Sequence, residues 1–243
     1  MSLTTTFKIC LLAVFLTSVK GSPPLKPFNP SVGIANDAVD DAKTQEEIFS
    51  FKDAKAPSGA FTLSKLNYTG CAPDQGEEIV NTIKKAQSHA SAARKLLGTY
   101  PKGLLYTRWF GKFNPTVYGY ALQSSSRLSK LPAQWQYKCQ SECPKGRDNT
   151  RLSYIRVQQP NIFNVCPDFW LTNSTLDMRV FNLIQEGACF IEVLGASYIE
   201  HGRNESMKLA AANPIGAGMN SDNHAFFITS VPGERIQKIK SSL

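Results

Sequence analysis

The feature that most narrows the possible folds lies just past residue 70. Ile79, Ile83, Ala86, Ala90, Ala93 and Leu97 recur at spacings of four and three, the period that lines them up on one face of a helix. Asp74 followed by Glu77 supplies an N-cap pair, and Gly98 suits the C-terminal stop. A face rich in alanine gains little burial unless a neighbour comes very close. The helix therefore predicts a packed domain rather than a lone or solvent-bridging rod. His89 sits beside that face with no partner spaced to help it bind a metal, so a packing or surface role is expected. With 243 residues and 42% hydrophobic content, the chain can bury one core of ordinary size. One main domain is predicted over residues 65–232, with 233–243 as a C-terminal tail.

Downstream, Tyr106-Thr107-Arg108-Trp109-Phe110-Gly111 is an aromatic knot assigned to packing. Residues 116–131 have helical character, with Val117, Tyr120, Ala121 and Leu128 as core candidates. Between residues 135 and 165 the period changes. Tyr154-Ile155-Arg156-Val157 alternates, Ile162-Phe163-Asn164-Val165-Cys166-Pro167 reads as another short strand, and Pro144-Lys145-Gly146 and Asp148-Asn149 carry turn chemistry. A small antiparallel sheet or hairpin is expected there. A helix over residues 176–194 follows, capped near Thr175, with Leu176, Val180, Leu183, Ile184 and Ile191 as buried candidates. Shorter helices are expected near 205–212 and 217–230. The class predicted is α+β, a helical domain with a small antiparallel sheet, stabilised by disulfides.

The first 21 residues have a positive flank at Lys8, an apolar run from Ile9 to Leu16, and a small-residue end at Gly21. This is the layout of a secretory signal, and the run is too short to span a bilayer. Export to an extracellular setting is expected, with no membrane span. Residues 22–64 are rich in Pro, Asp and Lys, and read as an extended or propeptide-like lead-in. Cys10 falls in the signal, leaving Cys71, Cys139, Cys143, Cys166 and Cys189, an odd set for an oxidising compartment. Sequence alone does not fix the connectivity. Pairing Cys71 with Cys139 and Cys143 with Cys166 leaves Cys189 either as a buried inert thiol or as a bridge to a second chain. Asn67, Asn173 and Asn204 each head an N-x-[ST] triplet, so a glycoprotein is expected. The net charge of +8 comes from scattered Lys and Arg with no dense run, which reads as a solvated basic surface and not as a nucleic-acid site.

The segment Leu183-Ile184-Gln185-Glu186-Gly187-Ala188-Cys189-Phe190 has a chemical pattern. On a helix, residues four apart share a face, and H-E-x-x-H uses that spacing to offer two imidazoles to zinc and a glutamate to the attacking water. Here the glutamate is present and both imidazoles are absent.

Several motifs in order amount to a family likeness. Asn67-Tyr68-Thr69-Gly70-Cys71, the aromatic knot, Cys139 and Cys143, Val165-Cys166-Pro167-Asp168-Phe169-Trp170, the Gln185 segment, Gly195 to Gly202, and Met219-Asn220-Ser221-Asp222-Asn223-His224-Ala225-Phe226-Phe227 together resemble the deuterolysin and peptidyl-lysine metalloendopeptidase family, the aspzincins. The resemblance implies that family's fold. Its H-E-x-x-H gives two zinc ligands and the base, and its G-T-x-D-x-x-Y-G gives the third ligand and a transition-state donor. Carried over residue by residue, the ligand positions fall on Gln185, Cys189 and Tyr198, the base on Glu186 and the donor on His201. Only Glu186 matches, as a vestigial base. In lysine-selective members an Asp and a Glu three residues apart grip the substrate ammonium, and here these positions are Asp222 and Ala225.

Catalytic zinc needs carboxylate, imidazole or thiolate ligands and an open position for water. Of the carried-over set only Cys189 is a competent donor, so the resemblance implies a chain that takes no cofactor. The function expected is that of a secreted, non-catalytic pseudo-metallopeptidase that binds a protein or peptide. The alternative is an active metalloendopeptidase with a non-standard metal site, drawn from Cys189, His201 and His224.

Overall fold

The structure is a computed structural model that describes residues 67–146, 150–156 and 158–241, the last ten of these as backbone alone. The expected signal over residues 1–21, the lead-in over 22–64, the Asp148-Asn149 turn and Val157 lie outside the described residues. Seven helices and four strands are described.

The predicted long helix is α1, Pro73–Thr99. Pro73 opens it, where a missing N–H costs nothing. The cap is shifted from the expected one: Gln75 Oε1, not Glu77, reaches back to accept the Ala72 N–H at 2.9 Å. Ala86, Ala90 and Ala93 are all at most 1% exposed, and α1 packs against α3 (Pro115–Leu128), α4 (Leu176–Ala188) and α7 (Ser221–Ser241). The small side chains let these three helices close around one rod. The α3 start is fixed by Asn114, whose side-chain oxygen accepts from Thr116 N at 2.9 Å and Val117 N at 3.3 Å.

The aromatic knot is the short helix α2, Leu104–Phe110. Trp109 and Phe110 are fully buried; Trp109 stacks on Phe226 of α7 at 4.8 Å between ring centroids, and Phe110 meets Phe227 at 5.3 Å. Each contributes about 2–3 kcal/mol by removal of its surface from water. Gly111 ends the helix at φ +75°, where a Cβ would lie 2.0 Å from Ala210 O of α5 (Arg203–Ala212). Only glycine fits that approach.

The α+β class and the small sheet are as expected, but the sheet is mixed rather than antiparallel. Its order is β1-β2-β4-β3, with β1 Asn67–Thr69, β2 Gln136–Cys139, β3 Ser153–Ile155 and β4 Ile162–Val165. β1 and β4 both run parallel to β2, and only β3 with β4 is antiparallel. The helices α1 to α3 lie between β1 and β2, and a loop with β3 lies between β2 and β4, connections long enough to cross over and return each strand in the same direction. The disulfides Cys71–Cys139 and Cys143–Cys166 tie the sheet to its flanking loops.

The helix carrying the Gln185 segment is shorter than expected. α4 stops at Ala188, where the Cys189 and Phe190 amides tighten onto Glu186 O and Gly187 O at 3.1 Å, and the amides of Val193, Leu194 and Gly195 then turn back onto Phe190 O at 2.9 Å. Ile191, predicted as core, is consequently 73% exposed. The expected helix near 217–230 is two helices, α6 (Pro214–Met219) and α7. α7 runs through most of the stretch expected as a tail. Among the described residues no helix is long and apolar enough to cross a membrane.

Candidate functional site

α4 brings Gln185 and Glu186 to one end of the bundle, with Cys189 as the residue that caps it. The loop from Gly195 to Gly202 lies against them. Both framing glycines adopt positive φ, +70° and +83°, the region only glycine enters without strain. The loop is held by Asn220, whose Oδ1 accepts from Ile199 N at 2.9 Å and Glu200 N at 3.2 Å. A short parallel bridge joins Ser197 to Asn220, with Ser197 N donating to Met219 O and Ser221 N to Ser197 O. Asn223 completes the clamp. Its amide nitrogen donates to Trp109 O at 2.6 Å and Ser206 O at 2.9 Å, while its oxygen accepts from Asn220 at 2.6 Å. Sequence reading missed both asparagines. The signal that could have found them is two amides three apart at the head of α7, able to reach neighbouring backbone groups.

The carried-over positions do converge. Gln185 Nε2 donates to Asp222 Oδ1, although the two are 37 residues apart in sequence. Asp222 is 2% exposed; its second oxygen accepts the Gly202 N–H at 2.8 Å. His201 Nδ1 stands 3.7 Å from Asp222 Oδ1, and its ring stacks on Tyr198 at 5.6 Å. Glu186 Oε2 accepts the Ile155 N–H at 3.3 Å, tying α4 to strand β3. Tyr198 Oη is buried beside Glu186 and Cys189. Its phenol is pushed well above the ordinary tyrosine range, first by burial and then by its neighbours Glu186 and Cys189. It therefore stays protonated at neutral pH.

Cys189 is 2% exposed, and its Sγ points at Gln185 O at 3.7 Å. Burial speaks against a disulfide bridge to a second chain through Cys189, because a thiol sealed from solvent cannot meet one; of the two expectations, the buried position is the one seen. His224 is also wholly buried. Its Nδ1 pairs with Ser124 Oγ at 2.7 Å and its Nε2 with Gly218 O at 2.8 Å, so both nitrogens are spent away from Cys189 and His201. Burial lowers its pKa to about 4. Asn67, Asn173 and Asn204 are all exposed.

Zinc takes thiolate, imidazole or carboxylate. At the three carried-over positions stand a neutral amide already donating to Asp222, a thiol, and a phenol that keeps its proton. As arranged, these side chains do not fit the ion. Among the described residues, no group of three or more His, Cys, Asp and Glu could hold a metal.

Comparison with known proteins gives the following. Residues 99–229 match the family model described as lysine-specific metallo-endopeptidase. An extracellular protease of Aeromonas hydrophila is 27% identical over 187 residues, covering 75% of this chain and 52% of the relative. A peptidyl-Lys metalloendopeptidase of Grifola frondosa is 24% identical, covering 80% of this chain and 59% of the relative, and one of Pleurotus ostreatus is 24% identical, covering 68% and 97%. The chain thus spans little more than half of the first two relatives. A zinc peptidase structure from Grifola frondosa superposes with a TM-score of 0.59 at 22% identity, covering 67% of this chain and 98% of that one. These matches overturn the expectation that no cofactor belongs here: the matching family is one of metallo-endopeptidases, and the similar fold is that of a zinc peptidase.

Proposed function

Because this chain belongs to the lysine-specific metallo-endopeptidase family, we propose that it is a secreted member which binds a protein or peptide without cutting it. The observation that carries the reading is how the two central carboxylates are occupied. A general base must reach the proton it removes. Glu186 instead accepts from the Ile155 N–H and sits beside the protonated Tyr198. Asp222 accepts from Gln185 and Gly202 and is almost fully buried, and the residue three further on, Ala225, is buried and uncharged. At these two positions a substrate ammonium would find one carboxylate, sealed from solvent, and no second one to share it. What persists is the fold around these positions, with its loop clamped by Asn220 and Asn223.

The secreted reading is supported by the layout of residues 1–21, by the two disulfides, and by the exposure of Asn67, Asn173 and Asn204, which we assign as glycan carriers. We take 65–232 as the family domain.

The test is cleavage of lysine-containing peptides by the purified full chain, once with zinc supplied and once with a chelator, alongside binding to the same peptides immobilised. No cleavage in either arm, with saturable binding, is the expected result. Chelator-sensitive cleavage would overturn the reading, and absence of binding would remove its second half. A Gln185→His/Cys189→His/Tyr198→Asp variant supplied with zinc should gain cleavage, since it restores three competent ligands around the retained glutamate.

A further inference from the structure

Away from Glu186 and Asp222, a shallow pocket of about 400 Å³ opens beside the Cys71–Cys139 disulfide, between the sheet and the start of α1. Trp170 forms part of its wall, with Gln75, Gln140 and Ser141 around it. None of the described lining residues carries a charge. Gln75 spends its side-chain oxygen on the Ala72 N–H, which leaves its amide NH2 for the pocket. Gln140 does the reverse: its amide nitrogen donates to Asn164 Oδ1 at 2.9 Å, leaving the carbonyl oxygen. Ser141 is exposed and adds a hydroxyl that can donate or accept.

We propose that this pocket binds a neutral sugar ring, the pyranose unit of an oligosaccharide. A half-buried indole offers a flat apolar face on which the C–H face of a pyranose can pack, and its N–H remains a polar edge. Neutral donors and acceptors on the surrounding side chains match hydroxyl groups, each of which both gives and takes a hydrogen bond. The absence of lining charge disfavours phosphate, carboxylate and ammonium ligands, whose desolvation would go uncompensated. The volume lies within the range of small-molecule pockets. The walls are also preset. Cys139 is held by its disulfide and by pairing with Val165 of β4, and Gly70, at φ +75°, brings the chain so close that a Cβ would lie 2.9 Å from Cys139 O. A rigid wall reduces the ordering cost of binding.

The fluorescence of the protein reports on this site. The chain has three tryptophans, and Trp109 and Trp135 are at most 1% exposed, so a ligand in solution perturbs Trp170 first. The experiment titrates the full-length protein with cellobiose, chitobiose and methyl α-D-mannoside, following tryptophan emission and the heat of binding. Glucuronic acid, inorganic phosphate and a lysine peptide serve as charged comparisons. A saturable change with at least one neutral sugar, and none with the charged probes, is expected. Trp170→Ala should abolish the heat of binding, and Gln140→Ala should weaken it about five-fold, the loss of one hydrogen bond. Ser141→Arg alters an exposed residue, keeps Trp170 in place and should also abolish binding by filling the pocket. If none of the neutral sugars gives a saturable response, if a charged probe is preferred, or if Ser141→Arg binds as the parent does, the proposal is wrong.

Discussion

A single histidine shows how residue type and location part company. His224 stands in a stretch that sequence reading considered for a metal site, yet its ring lies in the core, 5.1 Å from Phe110, with both nitrogens hydrogen-bonded. Its pKa is lowered to about 4 by burial, against about 6.5 in an unfolded chain. The unfolded state therefore binds more protons between those values, so stability rises with pH across that window and is lost as pH falls from about 6.5 toward 4. The full effect is on the order of 3 kcal/mol. Urea denaturation between pH 4 and 7 should show this slope, and a His224→Gln variant should flatten it. An unchanged slope in the variant would place the titration elsewhere. Residue type alone does not distinguish a core imidazole from a ligand here, because the difference lies in Ser124, a hundred residues away, and in the turn that sets Gly218 O against the ring.

Among the elements, α4 was legible at its start and not at its end. Thr175 caps it, its Oγ1 accepting from Met178 N at 3.3 Å, and Val180, Leu183 and Ile184 are buried at the expected spacing. At its end the amides of Cys189 and Phe190 tighten onto Glu186 O and Gly187 O, and three later amides converge on Phe190 O, which no local pattern announces. The strands β1 and β2 were missed as a pair for a similar reason: segments of three and four residues carry too few alternations to reveal a parallel partner some seventy positions away. α4 also contains Gly187, where a Cβ would lie 2.7 Å from Trp135 and 2.9 Å from Leu128. Gly187→Val should cost about 1–3 kcal/mol through overpacking, read as a lower urea midpoint at unchanged slope. A neutral result would mean that Trp135 moves aside freely, despite its indole N–H donating to Glu192 at 2.7 Å.

For the molecule as a whole, the two disulfides differ in the length of chain they close, with sequence separations of 68 for Cys71–Cys139 and 23 for Cys143–Cys166. Cross-linking removes more freedom from the unfolded chain when the loop is longer. Replacing Cys71 and Cys139 by serine should therefore lower stability by about 2–5 kcal/mol, and more than the matching change at Cys143 and Cys166. Thermal unfolding of the two double variants decides the order, and the reverse order would show that native contacts outweigh loop closure. The sequence by itself determined the helical period of α1, the α+β class and the family likeness, since these rest on spacing along the chain and on residue types that carry their preference locally. Tertiary structure alone decided that Gln185 meets Asp222, that Glu186 turns to strand β3, that Cys189 is sealed away and that the sheet is mixed. Each of these is a pairing between distant segments, and its energy arises only once packing has excluded water and brought them together.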